Sequence, residues 1–284
     1  MEISDVKKGM KVEVITKQGK IAKGFVEDIA AKTSYYGVVV RLKSGEIGSV
    51  KKILLNEEEI NKRDVLEINK MLERGENFYI EFKSSSLWSA NFSENEIKQS
   101  KSFDVHCFKQ KTSKVIIAKS IAALLNSGGG SLIIGIKERK EEKASSSLEK
   151  EDSKKPSSLS KNNEEKAAEA DNFQVIGVDD EFKKLKDKDN NRDGYKRMII
   201  DDVIRSFLPP KIYNHLNDYI WINFVDMEVN GDKKIVCWIK VRRCDVKVFL
   251  RVNDKEIFMI RTDTENRALE GERLVDYCMK RFER

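Results

Sequence analysis

Hydrophobic and polar positions alternate over the first fifth of the chain in short runs that predict a small all-β unit. The runs are KVEVIT, KGFVEDI, YYGVVVRL and EIGSVKKIL, separated by the polar turns KQGK, AAKTS and KSGE. Short strands at this spacing are typical of a small barrel or sandwich. The pattern predicts a compact barrel of four or five strands over residues 1–55.

A helical period begins after Asn56, which is placed to cap the segment EEEINKRDVLEINKMLERGE. We therefore expect a connecting helix over 56–75 and a larger domain over 76–284. The first strand of that domain is NFYIEFK, in which Phe78, Ile80 and Phe82 share one face and Tyr79, Glu81 and Lys83 the other. The polar segment 84–112, with scattered aromatic residues, predicts an irregular arm or lid.

Three consecutive glycines in LLNSGGGSLIIGI, residues 124–136, raise the question of a phosphate-binding loop. The segment before them, KVIIAKSIAALL, has apolar residues at helical spacing, and SLIIGI after them is a continuous apolar run, typical of a buried strand. A P-loop runs the other way, from a strand to the N-terminus of a helix, and ends in GK[ST], which is absent here. The glycines therefore predict a helix C-cap and turn.

The segment 139–171 is predicted to be a disordered insertion, because 17 of its 33 residues are charged and two leucines are its only large apolar side chains. Later elements are a strand at NFQVIGV, a helix near 194–207 ended by two prolines, hairpins at Asn230-Gly231 and Asn253-Asp254, and a final helix at 268–282. The expected fold class is α+β, a mixed sheet with packed helices, preceded by the all-β barrel.

Charge is concentrated at the N-terminal end of the chain. The 284 residues carry a net charge of +6, and residues 1–55 hold 11 Lys and Arg against 6 Asp and Glu. This excess permits a polyanionic partner such as RNA or the ribosome. The alternative is that these lysines serve only to keep the barrel soluble, and composition leaves both interpretations open.

The opening segment, MEISDVKKGM, is too charged for a secretory signal, and the longest uncharged stretch, 120–136, is interrupted by polar residues and glycines. No membrane span and a cytoplasmic location are therefore expected. The four cysteines contain no C-x-x-C pair, which predicts reduced thiols. His106 beside Cys107 is weak evidence for a metal site, because a second pair of ligands is missing.

Three glutamates are candidates for chemistry: Glu76 and Glu81 around the first strand of the main domain, and Glu138 after the apolar strand 131–136. If they converge, their mutual repulsion favours a hard divalent ion such as Mg²⁺ or Mn²⁺, which activates a water for phosphodiester cleavage. Lys83 would then hold the phosphate. The alternative is that the glutamates are solvated or paired with lysines, as most of the 48 acidic residues must be.

Three blocks, GENFYIEFK, IAKSIAALLNSGGGSLIIGI and FMIRTDTENRALEGERLVDYCMKRF, resemble in their order the Schlafen/AlbA-type domain. The resemblance covers about residues 65–284. It implies a nucleic-acid-binding fold and, in the Schlafen branch, an endoribonuclease that acts on tRNA or rRNA through three acids. The family motifs E-x4-E-F-K and I-G-V-D-D place these acids at Glu76, Glu81 and, within IGIKE, Glu138. Other members are described as DNA-binding or ATP-binding proteins.

Four arginines are candidates for nucleic-acid contacts. Arg261 and Arg267 match the two ends of the family segment R-x-G-x-S-T-R, and Arg242-Arg243 ends a predicted hairpin strand. Guanidinium groups suit phosphate binding. The alternative for them is an ion pair with the nearby acids Asp263 or Glu265.

The N-terminal segments ISDVKKGMKVEVITKQ and GVVVRLKSGEIGSVKKI resemble the YwbE-type (DUF2196-like) family. This implies an SH3-like, KOW-related barrel, a type that often contacts RNA or ribosomal protein.

These observations lead to one main hypothesis, a metal-dependent endoribonuclease that acts on structured RNA such as tRNA or rRNA, with RNA preferred over DNA. The alternatives are a non-catalytic DNA- or RNA-binding regulatory module and a nucleotide-binding protein of the same family. Two-lobed Schlafen cores contain paired copies of the domain, and this chain has one, so the resemblance also predicts a homodimer.

Overall fold

The computed structural model describes residues 3–33, 37–139, 172–185 and 189–282. The chain divides into two compact units, Met1–Asp64 and Val65–Arg284. Residues 140–171, which are all but the first residue of the segment 139–171 predicted to be disordered, lie outside the described residues.

The first unit is a closed barrel of four antiparallel strands, β1 (Lys11–Thr16), β2 (Ile21–Thr33), β3 (Gly37–Leu42) and β4 (Ile47–Ile53), in which β1 also pairs with β4. A short 3₁₀ turn, Ile3–Asp5, precedes it. Alternation along β1 places Val12 and Val14 in a core made mostly of valines, while Lys11 faces solvent. The all-β barrel that the sequence predicts is confirmed.

The helix α1 (Glu57–Arg74) begins at the predicted cap. The side chain of Asn56 accepts a hydrogen bond from the backbone N–H of Glu59 (2.7 Å), and the Glu59 carboxylate accepts one from the backbone N–H of Asn56 (2.9 Å). This reciprocal pair is a capping box. In the second half of the helix, Ile68 and Leu72 are buried against the sheet of the larger unit.

The larger unit is built around a four-stranded sheet in the order β5 (Ile80–Lys83), β6 (Gly130–Ile134), β10 (Asp232–Val241) and β9 (Ile220–Val229). β5 pairs with β6 in parallel and the other pairs are antiparallel, so the sheet is mixed, as predicted. One face carries Ile80, Phe82 and Trp238, and the other packs against α4 (Thr112–Asn126). The predicted α+β class is therefore confirmed.

Two smaller sheets and several helices complete this unit. β7 (Ile136–Glu138) pairs with β8 (Phe173–Val175), and β11 (Phe249–Val252), β12 (Lys255–Thr262) and β13 (Glu265–Leu269) form an antiparallel sheet. The other helices are α2 (Glu94–Gln99), α3 (Phe103–Phe108), α5 (Asp179–Phe182), α6 (Arg192–Met198), which continues as a π-helix over Ile199–Arg205, α7 (Pro210–Asn214), α8 (Leu216–Tyr219) and α9 (Gly271–Phe282). Lys109–Lys111 forms a 3₁₀ turn between α3 and α4. Within the described residues, every helix is too short or too polar to cross a membrane.

Both predicted hairpins are present. Asn230 and Gly231 join β9 to β10 with φ of 52° and 85°, and Asn253 and Asp254 join β11 to β12 with φ of 49° and 60°. Two consecutive residues with positive φ are typical of the turn that matches the twist of antiparallel strands, and Asn, Asp and Gly tolerate it best.

Four predicted elements differ from the structure. The strand expected over 131–136 divides at Gly135 (φ +104°), where an added Cβ would lie only 3.0 Å from the carbonyl carbon of Gly177. NFYIEFK becomes a strand only at Ile80, because Asn77–Ile80 forms a turn. The predicted arm contains the helices α2 and α3. The final helix begins at Gly271, because β13 pairs with β12 over the residues before it.

Candidate functional site

Glu81 lies in β5 on the face opposite Ile80 and Phe82, as its sequence position predicts. That second face is also covered, by α4 and β13, so Glu81 is only 3% exposed. A buried carboxylate is strongly destabilised unless cations and hydrogen-bond donors surround it. Its partners therefore define what the site can do.

The carboxylate of Glu81 has two cationic and two neutral partners. Arg261 Nη1 pairs with Oε2, and Lys83 Nζ pairs with Oε1. Asn266 Nδ2 donates to Oε1 at 3.0 Å, and Ser120 Oγ donates to the same oxygen at 3.3 Å. These contacts neutralise the charge of Glu81 and occupy both of its oxygens.

Arg261 is also buried, at 2% exposure, and each nitrogen of its guanidinium group has a partner in the protein. Nε and Nη2 donate to the carbonyl oxygen of Asn77 at 3.1 and 3.0 Å, and Nη2 donates to that of Ile80 at 2.9 Å. Burial lowers the pKa of Arg261, while the carboxylates of Glu76 and Asp263 act in the opposite direction. Arg261 was a candidate for nucleic-acid contacts, with an ion pair to Asp263 or Glu265 as the alternative; in the structure it forms an ion pair with Glu81.

The free edge of β5, the side away from β6, is covered by side chains. Glu76 Oε1 accepts a hydrogen bond from the backbone N–H of Phe82 at 2.8 Å, and Lys83 Nζ donates to the carbonyl of Phe82 at 3.0 Å. Arg261 covers the carbonyl of Ile80 in the same way. Burial lowers the pKa of Lys83, and the nearby carboxylate of Glu76 partly offsets this. Glu76, Lys83 and Arg261 therefore complete the hydrogen bonds of an edge strand.

Glu138 lies apart from this cluster. Glu138 is exposed in β7, where it is paired with Phe173 in the two-stranded sheet. The residue opposite Glu81 on the neighbouring strand is Leu132, and Glu138 comes six residues after it. Across the described ranges, no three His, Cys, Asp or Glu side chains are grouped closely enough to hold a metal ion. In this arrangement the three glutamates do not fit a divalent ion, because Glu81 is already paired with Arg261 and Lys83.

The other candidate arginines are exposed. Arg267 on β13 pairs with Glu265, with Nε and Nη2 at 3.0 and 2.9 Å from Oε2, which is the ion-pair alternative of the sequence analysis. Arg242 and Arg243 follow the last residue of β10. Burial, and next the charge of Arg243, lower the pKa of Arg281, whose Nη2 donates to the carbonyl oxygens of Ser127 and Cys244 at 2.9 and 3.2 Å.

The three glycines form a tight crossing at this end of the sheet. The N–H of Gly129 donates to the carbonyl of Leu124 at 3.0 Å, which ends α4. A Cβ on Gly129 would lie 2.7 Å from the carbonyl oxygen of Val241 and 2.8 Å from the backbone nitrogen of Arg243, and φ is +76°. The predicted turn after the helix is confirmed, with Ser127 as the C-cap, and Gly129 is required by backbone packing.

A second buried carboxylate, Glu181 in α5, was missed by the sequence analysis. It accepts hydrogen bonds from the backbone N–H groups of Ser86 and Leu87 (both 3.2 Å), from Ser86 Oγ (3.0 Å) and from Tyr195 Oη (2.7 Å), and it also contacts Ser85. Burial, followed by the charge of Glu181, raises the pKa of Tyr195 well above its usual value. Three consecutive serines directly after the EFK block were the available signal, because such a turn offers several donors to one acceptor.

Two family models match the chain. Residues 1–53 match the one described as Uncharacterized conserved protein (DUF2196), and residues 76–174 match the one described as Schlafen, AlbA_2. No curated protein and no solved structure matches it. Both resemblances seen in the sequence are confirmed over these ranges, and the second indicates a function related to nucleic acids.

Proposed function

We propose that this chain, a Schlafen AlbA_2 domain preceded by a DUF2196 barrel, is an RNA-binding protein whose larger unit contacts the nucleic acid at the end of the sheet formed by the glycine turn. The contact surface, here called the arginine surface, consists of Tyr79, Gly128, Arg242 and Arg243. The observation that carries the proposal is that β-sheet pairing brings these residues together from three separate segments of the chain.

The contacts that assemble this surface are backbone contacts. The N–H of Ser131 donates to the carbonyl of Tyr79 at 2.7 Å, and Gly130 is paired with Val241, the residue before Arg242. Tyr79 is 57% exposed, and a Cβ on Gly128 would lie 2.8 Å from its ring. An exposed aromatic residue at the same end of the sheet as two exposed arginines suits a nucleic acid, since an aromatic ring stacks on a base while arginine binds phosphates.

Glu81 acts as a structural anchor in this proposal. Its pairing with Arg261 joins β5, which directly follows Tyr79, to β12. The anchor holds the strand that presents Tyr79, and the exposed arginines remain available for phosphates. We expect RNA to bind in preference to DNA, as the Schlafen resemblance implies.

The test compares the full chain with an Arg242→Gln/Arg243→Gln variant in binding to labelled tRNA over a range of salt concentrations. We expect weaker binding and a salt slope that falls by about 1 for each phosphate that arginine no longer binds. Lys183→Gln/Lys184→Gln is the matched control, because it removes the same charge from exposed residues in the same unit. An equal decrease in affinity in both variants would reject the arginine surface, and a duplex DNA of similar length tests the preference for RNA.

A metal-dependent endoribonuclease is the second candidate. It is favoured by Glu76 and Glu81, two acids of the family motif, which both interact with β5 residues and with Lys83, Glu76 at the free edge of the strand and Glu81 on its face. Catalysis with Mg²⁺ or Mn²⁺ would require Glu81 to exchange its cationic side-chain partners for the ion and Glu138 to approach it.

The assay for this candidate incubates the protein with total tRNA and Mn²⁺ and analyses the products on a denaturing gel. Glu138→Gln is the informative variant, because the side chain is exposed and its change leaves packing intact. Cleavage by the native chain that Glu138→Gln abolishes, and that Glu265→Gln leaves unchanged, would establish the enzyme. Binding without cleavage in all three would leave the RNA-binding protein alone.

A further inference from the structure

The barrel exposes an aromatic ring between two lysines. Phe25 in β2 is 48% exposed, although an aromatic side chain is stabilised by leaving water. The ammonium groups of Lys11 and Lys43 lie over its ring, 5.8 and 5.9 Å from the centroid. Within the described part of the barrel, neither ammonium is paired with a carboxylate.

This arrangement is fixed by the backbone of the barrel. Lys11 is directly opposite Phe25 in the pairing of β1 with β2, and the N–H of Lys43 donates to the carbonyl oxygen of Phe25 at 2.9 Å. The next residue, Val26, is fully buried in the core, so alternation requires Phe25 to point outward. The backbone therefore places the three residues side by side on the outer surface of the barrel.

We propose that this group, called here the Phe25 platform (Phe25, Lys11 and Lys43), is a binding site for single-stranded RNA. One base stacks on the Phe25 ring, and the adjacent phosphates pair with Lys11 and Lys43. This is a second contact surface, distinct from the arginine surface, and it extends the proposed RNA binding to the barrel without depending on the arginines.

The chemistry of the platform favours a single strand over other polyanions. A duplex presents phosphates but keeps its base faces stacked inside, whereas a single strand offers both a base face and phosphates. An acidic peptide would use the lysines but would leave the Phe25 ring without a stacking partner. Residues 1–55 contain 11 basic and 6 acidic residues, and this net positive charge attracts a polyanion.

The first experiment measures the fluorescence anisotropy of labelled oligouridylate of about 12 nucleotides with the full chain. Phe25→Ala is expected to weaken binding roughly 5- to 150-fold, which is the range for the loss of one stacked base. Lys11→Gln/Lys43→Gln is expected to reduce the slope of log affinity against log salt by about 1.4, since each phosphate contact on a single strand contributes about 0.7.

Two variants serve as matched controls. Ile21→Ala removes another exposed apolar side chain from the same strand, and Lys51→Gln/Lys52→Gln removes the same charge from exposed lysines of β4. Both are expected to bind as the native chain does. Oligothymidylate and a duplex RNA of equal length test whether binding requires RNA and whether it requires a single strand.

A second experiment locates the contact by photo-crosslinking 4-thiouridine RNA to the full chain and sequencing the modified peptides. Crosslinks at Phe25 are expected, and they should persist in Arg242→Gln/Arg243→Gln. Crosslinks only beyond residue 65, with native affinity in Phe25→Ala, would overturn the platform and leave the arginine surface intact. Crosslinks at Phe25 with no effect of the arginine variant would reject the arginine surface instead. Equal binding of duplex RNA, or displacement of the RNA by polyglutamate at the same charge concentration, would also overturn the platform.

Discussion

The carboxylate of Glu81 contacts α4 through Ser120, β13 through Asn266 and β12 through Arg261. A buried ion pair adds little net stability by itself, because desolvation of the two charges offsets their attraction. Removing one partner is different, since the other charge then stays buried with fewer compensating contacts. Substitutions in the cluster around Glu81 therefore test whether these residues stabilise the fold.

Replacing Arg261 with methionine is expected to lower the free energy of unfolding of the larger unit by about 3 to 5 kcal/mol. Tryptophan fluorescence during urea unfolding measures this, because all three tryptophans lie beyond residue 65. Arg267→Met is the control: its pair with Glu265 is exposed, so about 0 to 1 kcal/mol is expected. A decrease below about 1 kcal/mol for Arg261→Met would contradict the anchor role of Glu81.

The second prediction concerns alkaline pH. Burial, then the charge of Glu181, raises the pKa of Cys237 above its usual value of 9.0. A group whose pKa is raised on folding stabilises the native state below its unfolded pKa, and this contribution is lost as pH rises above it. The raised pKa of Tyr195 likewise lowers the free energy of unfolding as the pH rises above 10.0, its usual pKa. The pKa of Lys83 is lowered, so Lys83 increases the free energy of unfolding as the pH rises toward 10.5.

We therefore expect the free energy of unfolding to fall above pH 10.5, where the opposing contribution of Lys83 has ended, and Cys237→Ala to reduce that slope by about 1.4 kcal/mol per pH unit. Urea titrations at several pH values give the slope, which separates this effect from any packing change that is independent of pH. Cys107→Ala, at a partly exposed thiol, is the control. Identical slopes in the native chain and in Cys237→Ala would refute the assignment.

At the level of residues, the sequence predicted the face on which Glu81 lies but not its partners. Strand alternation is local, so the opposition of Glu81 to Ile80 and Phe82 could be derived from the motif alone. Arg261 lies 180 residues later in the chain, and nothing local indicates that it reaches Glu81 in preference to Asp263. The pairing follows from the tertiary fold.

At the level of elements, the glycine turn has the strictest requirement for glycine itself. Gly130 has φ of +147°, and a Cβ there would overlap the carbonyl of Tyr79. Gly130→Ala is expected to destabilise the larger unit by at least about 3 kcal/mol, because both the backbone conformation and the overlap must be relieved. Urea unfolding followed by tryptophan fluorescence tests this.

Gly271→Ala is the matched control for that measurement. Gly271 also has a positive φ, +57°, but has open space around its Cα. It should therefore lose only about 1 to 2 kcal/mol, the cost of the left-handed conformation alone. If the two variants were destabilised equally, the close approach to Tyr79 would not be the cause.

Elements with local signals were predicted well, and those set by distant partners were not. The two hairpins and the capped helix α1 follow from turn and cap residues next to each other in the chain. The break at Gly135 depends on the approach of Gly177, and β13 depends on its pairing with β12. The helix α2 has a local signal, the capping box of Ser93 and Glu96, so this helix is predictable from the sequence although it was expected as part of an irregular arm.

At the level of the whole molecule, the predicted homodimer can be tested at the last helix. Val275 and Met279, one turn apart on α9, are 57% and 52% exposed. The predicted homodimer would give these side chains a partner, and light scattering would then report about twice the chain mass of 32.7 kDa. Val275→Glu/Met279→Glu is expected to yield the monomer. A native chain that is monomeric at high concentration would reject the dimer.

The sequence predicted the class and order of the two units, because each contains motifs with a fixed spacing. It could not predict whether the acids of the main domain converge on a metal ion. That depends on where the strand after the glycine turn bends, and the bend at Gly135 places Glu138 in a different sheet from Glu81. Function at the level of nucleic-acid binding is therefore better supported than a cleavage mechanism.

The side-chain cover on β5 has a consequence for how mutants of this protein behave. A strand that loses such cover presents unsatisfied amide and carbonyl groups, to which an extended segment of another molecule can add. Changes at Glu76 or Arg261 would thus promote aggregation through the uncovered strand, even where the hydrophobic core is untouched. Inactivity in such mutants would then reflect loss of soluble protein and would say nothing about catalysis.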